Sequence, residues 1–186
     1  MFVRRLIDLS TSTKELDHHI YLNRDGRDDI RWWIDFMPSL RRRSIIPDST
    51  RIFNSDLLLY SDASFVGCGA IYKHSWIQHA WVLSEVGMSI DFYELFSVYG
   101  AVITWGSQWE GKRIVVLTDN EPITFIWKTG TSSVRNMMIL VRARFLFAAE
   151  HDFSIGFKHI SGCVYTFIKT MIYGHSFNDD SSSLKL

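Results

Sequence analysis

The sequence predicts an α/β domain, a mixed five-stranded sheet with helices on both faces, preceded by a mostly helical arm. Three observations predict it. Two largely apolar runs, residues 57–62 and 113–118, the first ending in Asp62 and the second leading directly into Asp119, have the pattern of strands covered on both sides. Residues 153–158 alternate Phe153, Ile155 and Phe157 with Ser154, Gly156 and Lys158, which is a strand with one buried face. Two further stretches, 89–105 and 132–149, carry apolar residues at helical spacing.

The elements follow in order. Phe2, Leu6 and Leu9 make a short amphipathic piece that gives way to the polar run 10–14, an abrupt start that suggests a piece of something longer. Asp25-Gly26 reads as a turn, and Asp28 or Asp29 as the cap of a helix carrying Ile30, Trp32, Trp33, Ile34, Phe36 and Met37. Pro38 limits that helix, and Arg41-Arg42-Arg43 lies beyond it. Residues 47–55 read as a linker, so the main domain is expected from about Asn54. Its strands are 57–62, 67–72 and 79–83, the last two antiparallel neighbours joined through Lys73, His74 and Ser75. Ser89 or Asp91 opens the first long helix. Strand 113–118, a short helix over 121–128, a longer helix capped by Ser132 or Ser133, and the alternating strand complete the domain. The organisation expected is an arm over 1–53, a domain over 54–174 and a disordered tail over 175–186.

Bulk properties exclude several classes. Of 186 residues, 47% are hydrophobic and 15% aromatic, too apolar for a disordered chain. No run approaches the roughly 18 apolar residues of a membrane span, and the N-terminus lacks the apolar core of a signal peptide. Two cysteines, Cys68 and Cys163, have neither metal-ligand spacing nor disulfide density, which favours an intracellular location, in cytoplasm or nucleus. The net charge is zero, but residues 51–110 hold two basic against six acidic residues, and residues 111–186 nine against six. An acidic centre beside basic surface suits a metal site next to a polyanion groove; scattered solvated charge gives the same counts.

The chemistry rests on three carboxylates. If the strands ending at Asp62 and Asp119 are adjacent and parallel, the two carboxylates emerge side by side. Glu94, in the first turn of the intervening helix, can reach the same edge. Clustered carboxylates repel one another until a cation neutralises them, and oxygen-only ligands suit Mg²⁺ or Mn²⁺ rather than zinc. Each residue also has a structural use open to it: Asp91-x-x-Glu94 as a capping box, Asp119 or Asn120 as an N-cap, Asp62-Ala63-Ser64 as a turn. Lys128, Arg135 and Arg142 are the candidates for nucleic-acid phosphate contacts, a solvated helix face being the alternative. Trp32, Trp33, Trp105 and Trp109 could stack bases or anchor a core. His159 reads as a packed, hydrogen-bonded histidine, and His18-His19 as exposed.

Four segments carry a resemblance: Tyr60-Ser-Asp62-Ala-Ser-Phe-Val-Gly-Cys-Gly-Ala70, Ser89-Ile-Asp-Phe-Tyr-Glu94-Leu95, Leu117-Thr-Asp119-Asn120 and Lys158-His159-Ile-Ser-Gly162. With Trp76, Trp81 and the run Ala101-Val-Ile-Thr-Trp-Gly106, they resemble the RNase H-like domain of retroelement polyproteins, especially tyrosine-recombinase retrotransposons of the DIRS type. Phe2-Val-Arg-Arg-Leu-Ile-Asp-Leu9 and Asp29-Ile-Arg-Trp-Trp33 resemble the segment that joins reverse transcriptase to RNase H there. The likeness spans nearly residues 1–162. It implies an endonuclease that hydrolyses the RNA strand of RNA–DNA hybrids, a reverse transcriptase upstream, and two Mg²⁺ (or Mn²⁺) ions held by Asp-Glu-Asp-Asp. Asp62, Glu94 and Asp119 match the first three. At the fourth position stands Lys169, with Tyr165 where the family has Asn. The resemblance with this change implies impaired activity and a weak or missing second ion. The alternative it leaves is a catalytically inactive nucleic-acid-binding or structural relic, or a pseudogene fragment, with a divergent or frame-shifted chain after Gly162.

Overall fold

The computed structural model describes residues 4–12, 19–40, 57–83, 86–132, 134–161, 169–170 and 172. Five strands form one mixed sheet in the order β3-β2-β1-β4-β5: β1 (Leu58–Ala63), β2 (Gly67–Tyr72), β3 (Ser75–Ala80), β4 (Arg113–Thr118) and β5 (Ser154–His159). The first three are antiparallel neighbours, and β4 runs parallel to both β1 and β5. This is the mixed five-stranded α/β arrangement expected from the sequence.

Strand β3 begins four residues before the expected 79–83. Lys73 and His74 alone make the turn, with Lys73 at φ 56°, so Tyr72 pairs with Ser75 and the ladder starts at once. A two-residue turn fixes the register, and that register sends Ile77 into the core (8% exposed). At the other turn, Ser64 N–H donates to the Gly67 carbonyl at 2.8 Å. A Cβ on Gly67 would lie 2.5 Å from the His79 carbonyl oxygen, so β3 can approach only a glycine there.

On one face lie α3 (Ile90–Trp105), α4 (Glu121–Thr129) and α5 (Arg135–Glu150). Leu59, Ala70, Val116 and Ile155 from the sheet pack with Val98, Val102, Trp105, Trp109 and Trp127. The alternation of β1 turns Tyr60 to the opposite face, where it meets Ile71, Ile160 and the helical residue Ile172. Ser89 caps α3 as expected, accepting from Phe92 N–H at 3.3 Å. Asn120 caps α4, accepting from Ile123 N–H at 3.2 Å. The serine expected to cap α5 does not: Val134 holds the cap position without a side-chain bond, and Ser132 Oγ accepts from Val134 N–H instead. Ser133 lies outside the described residues.

The arm differs more from expectation. Helix α2 (Arg24–Phe36) starts before Asp25-Gly26, because Asn23 caps it by accepting from Gly26 N–H at 2.8 Å. Gly26 is a packing position: a Cβ there would lie 3.0 Å from Leu9 Cδ1 of α1 (Arg4–Thr11). Asp28 and Asp29 face α5 instead of capping. Asp28 pairs with Arg135 at 3.2 Å, and Asp29 pairs closely with Arg142, the Asp29 side chain 2% and the Arg142 side chain 14% exposed. Trp32 and Trp33 pack against the apolar cluster that holds Met137, Met138, Leu140 and Val141 of α5, so α2 meets this part of the domain by both charge and apolar burial. The Arg41–43 triplet, the 47–55 linker, the boundary near Asn54 and the tail 175–186 lie outside the described residues. Among the described residues, no helix is long and apolar enough to cross a membrane.

Candidate metal centre

Strands β1 and β4 pair in parallel with Leu58, Leu59 and Tyr60 opposite Val115, Val116 and Leu117. Asp62 lies two residues beyond Tyr60 and Asp119 two beyond Leu117, at the same edge of the sheet. Asp62 shares the face of Tyr60, and Glu94 reaches the same edge from the second turn of α3, not the first. One oxygen from each of Asp62, Glu94 and Asp119 lies within 4.8 Å of the others. Asp62 and Glu94 are buried, at 2% and 5% exposure; Asp119 is partly open.

The structural uses open to these residues are taken by others. Ser89 caps α3, so Glu94 is not half of a capping box. Asn120 caps α4, and its Nδ2 donates to Asp91 Oδ1 at 3.0 Å, which binds the starts of α3 and α4 together and leaves Asp119 out of the cap. Ser64, not Asp62, closes the β1–β2 turn.

Burial, then the charges of Asp62 and Asp119, push the Glu94 carboxyl from 4.5 up to about 9, against the opposing pull of Lys169 and a backbone hydrogen bond from Ala63. The folded protein therefore keeps a proton on Glu94 that the unfolded chain releases above about pH 4.5. This group's stabilisation is full below that pH and is lost as the pH climbs to about 9. Lys169 contributes in another window. Burial lowers its pKa, but Asp62 and Asp119 outweigh burial and raise it above 10.5, so its stabilisation is lost only in stronger alkali. Urea midpoints of the metal-free protein are expected to fall between pH 5 and 9, and Glu94→Gln is expected to flatten that fall. An equal slope in both proteins rejects Glu94 as its source.

Lys169 occupies the cluster. Its Nζ is 3.4 Å from Asp62 Oδ1 and 3.3 Å from Asp119 Oδ2, with the side chain 44% exposed. Ile172, three residues on, is 2% exposed and fixes the backbone. Gln78 Nε2 donates to its carbonyl, and a Cβ on Gly69 would lie 2.6 Å from its Cγ2. Gly69 is the β2 residue paired with Asp62. Three mutually reachable carboxylates are a donor set that fits one hard divalent cation. The ammonium pairs with two of the same carboxylates, and among the described residues no fourth carboxylate joins them.

Two of the three phosphate candidates are held in ion pairs. Arg135 and Arg142 are engaged with Asp28 and Asp29, and the Lys128 side chain lies outside the described residues. Trp105 and Trp109 are buried anchors. His159 is exposed at the end of β5, not packed, and His19 is exposed as expected. Sequence reading passed over Arg144. It is 2% exposed, and its Nε, Nη1 and Nη2 lack hydrogen-bond partners among the described residues; the guanidinium lies against the rings of Trp127 and Phe145. The signal was present, since 137, 141, 144 and 148 form one helical stripe and three of its four positions are apolar.

No family model matches the chain, and no curated protein matches it in sequence. Among solved structures it is similar to RNase H1 from the halophilic archaeon Halobacterium salinarum, at 11% identity and TM-score 0.42, over 59% of this chain and 88% of that one. It is also similar to a foamy viral protease-reverse transcriptase in complex with RNA/DNA hybrid, at 10% identity and TM-score 0.43, over 88% of this chain and 27% of that one. A foamy viral protease-reverse transcriptase dRH in complex with double-stranded DNA matches at 12% identity and TM-score 0.42, over 86% and 30%.

Proposed function

We propose that this chain is a retroelement RNase H-like domain that hydrolyses the RNA strand of RNA–DNA hybrids, with activity limited by Lys169. The observation that carries the reading is the convergence of Asp62, Glu94 and Asp119 within 4.8 Å, free of the caps and turns that could have explained them. Asp62 is fixed by strand pairing, Asp119 follows directly on β4, and Glu94 is carried by a helix whose own cap is satisfied, so the three need little rearrangement to act together. A Mg²⁺ or Mn²⁺ ion held by the three would supply Lewis-acid charge and an activated water for phosphodiester hydrolysis. Lys169, at the position of the family's fourth carboxylate, removes a ligand for a second ion and competes for the first. Residues 1–53 are read as the arm following a reverse transcriptase, although α2 is ion-paired with α5 and is more than a tether.

A second reading, a non-catalytic nucleic-acid-binding or structural unit, is favoured by one observation, the ion pairs of Lys169 with two of the three carboxylates. Cleavage of a labelled RNA–DNA hybrid separates the two. Slow cleavage that requires Mg²⁺ or Mn²⁺ and disappears in Asp62→Asn is expected. Cleavage no faster than that of Asp62→Asn selects the second reading, and turnover typical of a complete four-carboxylate enzyme refutes the limit set by Lys169.

A further inference from the structure

We propose that Lys169 is a tethered counter-ion of the carboxylate cluster, alternating there with a divalent cation, so that metal binding requires its side chain to swing out into solvent. This rests on the reading of Asp62, Glu94 and Asp119 as a cation site. The geometry separates a fixed part from a movable one. Ile172 is wedged among Tyr60, Ile71 and Ile160, above a glycine that leaves room for nothing larger. The Lys169 backbone is therefore held, while the four-carbon stem beyond it is nearly half exposed. The ammonium takes one oxygen of Asp62 and one of Asp119, at nearly equal distances, and both residues belong to the set that would ligate a metal. Two cations sharing those carboxylates repel each other at short range. The lysine is the one with an open path to water, where its charge is well solvated.

The arrangement has two consequences for this chain. Divalent cations bind more weakly than three carboxylates alone would bind them, and binding exposes the Lys169 amine. Mn²⁺ titration by calorimetry on the full chain tests the first effect. Lys169→Met is expected to bind at least tenfold more tightly than wild type, and Lys169→Arg, which keeps the charge, to bind about as wild type does. The second effect is read on the wild type by mass spectrometry after brief amine acylation, where saturating Mg²⁺ should raise labelling at Lys169 but not at Lys73 or Lys112.

Equal Mn²⁺ affinity in wild type and Lys169→Met overturns the exchange while leaving the cation site intact. No Mn²⁺ binding by either overturns the site and the exchange together. If Lys169→Met does not fold, the acylation experiment decides: unchanged Lys169 labelling with Mg²⁺ overturns the proposal.

Discussion

Asp29→Ala is expected to destabilise the protein by about 3 kcal/mol or more, the cost typical of removing one partner from a buried ion pair. The Asp29 side chain is 2% exposed and that of Arg142 14%, so the substitution leaves a guanidinium inside the α2–α5 interface without its carboxylate. Most of the cost is that stranded charge rather than the pair's net attraction. Asp28→Ala one residue earlier should cost about 1 kcal/mol at most, because the Asp28–Arg135 side chains are 34% and 54% exposed and water screens such pairs. The double variant Asp29→Leu/Arg142→Met should regain most of the loss, since apolar residues of similar volume replace buried ion pairs at little cost. Urea denaturation of the four proteins checks this. Similar losses for Asp28→Ala and Asp29→Ala would show that burial at Asp29 does not govern the interface.

Arg144→Met is expected to act in the opposite direction, raising stability by about 2 kcal/mol. Burial pushes the Arg144 pKa well below its ordinary value, and its three guanidinium nitrogens lack hydrogen-bond partners among the described residues. Burying an ion costs several kcal/mol even after relaxation. Stacking on Trp127 and Phe145 returns about 0.5 to 2 kcal/mol, so desolvation wins. Methionine keeps an unbranched chain on the same stripe and brings no charge. A fall in urea midpoint for Arg144→Met would mean that the guanidinium is paired, and the stabilisation would not be found.

How much the sequence disclosed depends on the range of the force that shaped each element. Strands β1 and β4 were legible because both faces are covered, so most of their residues had to be apolar. Asp62, Glu94 and Asp119 were legible because strand ends and a helix start place them regardless of the rest of the chain. Strand β3 was misplaced because its turn uses Lys73 and His74, which carry no glycine or asparagine signal. Helix α2 was misread at its start because Gly26, a turn residue by local rule, is required there by Leu9 from another helix. The pairing of Arg142 with Asp29 was not legible because the two lie 113 residues apart, beyond any local pattern. Lys169 was legible as a departure from the pattern of the family that the sequence resembles, but its two ion pairs are visible only once Ile172 is seated on the sheet.

The pairing of β1 with β4 has a consequence for how this edge of the molecule changes over time. Neighbouring strands lie about 4.8 Å apart because backbone hydrogen bonds hold them there, so the interval between the stems of Asp62 and Asp119 is set by the sheet and not by their chemistry. Leu59 and Val116, paired in the same register, are fully buried. Any drift that widened the interval would open the core before it altered the carboxylates. A lineage that stopped using this edge would therefore keep its spacing for as long as the domain folded, and could exchange one occupant for another without rebuilding the frame.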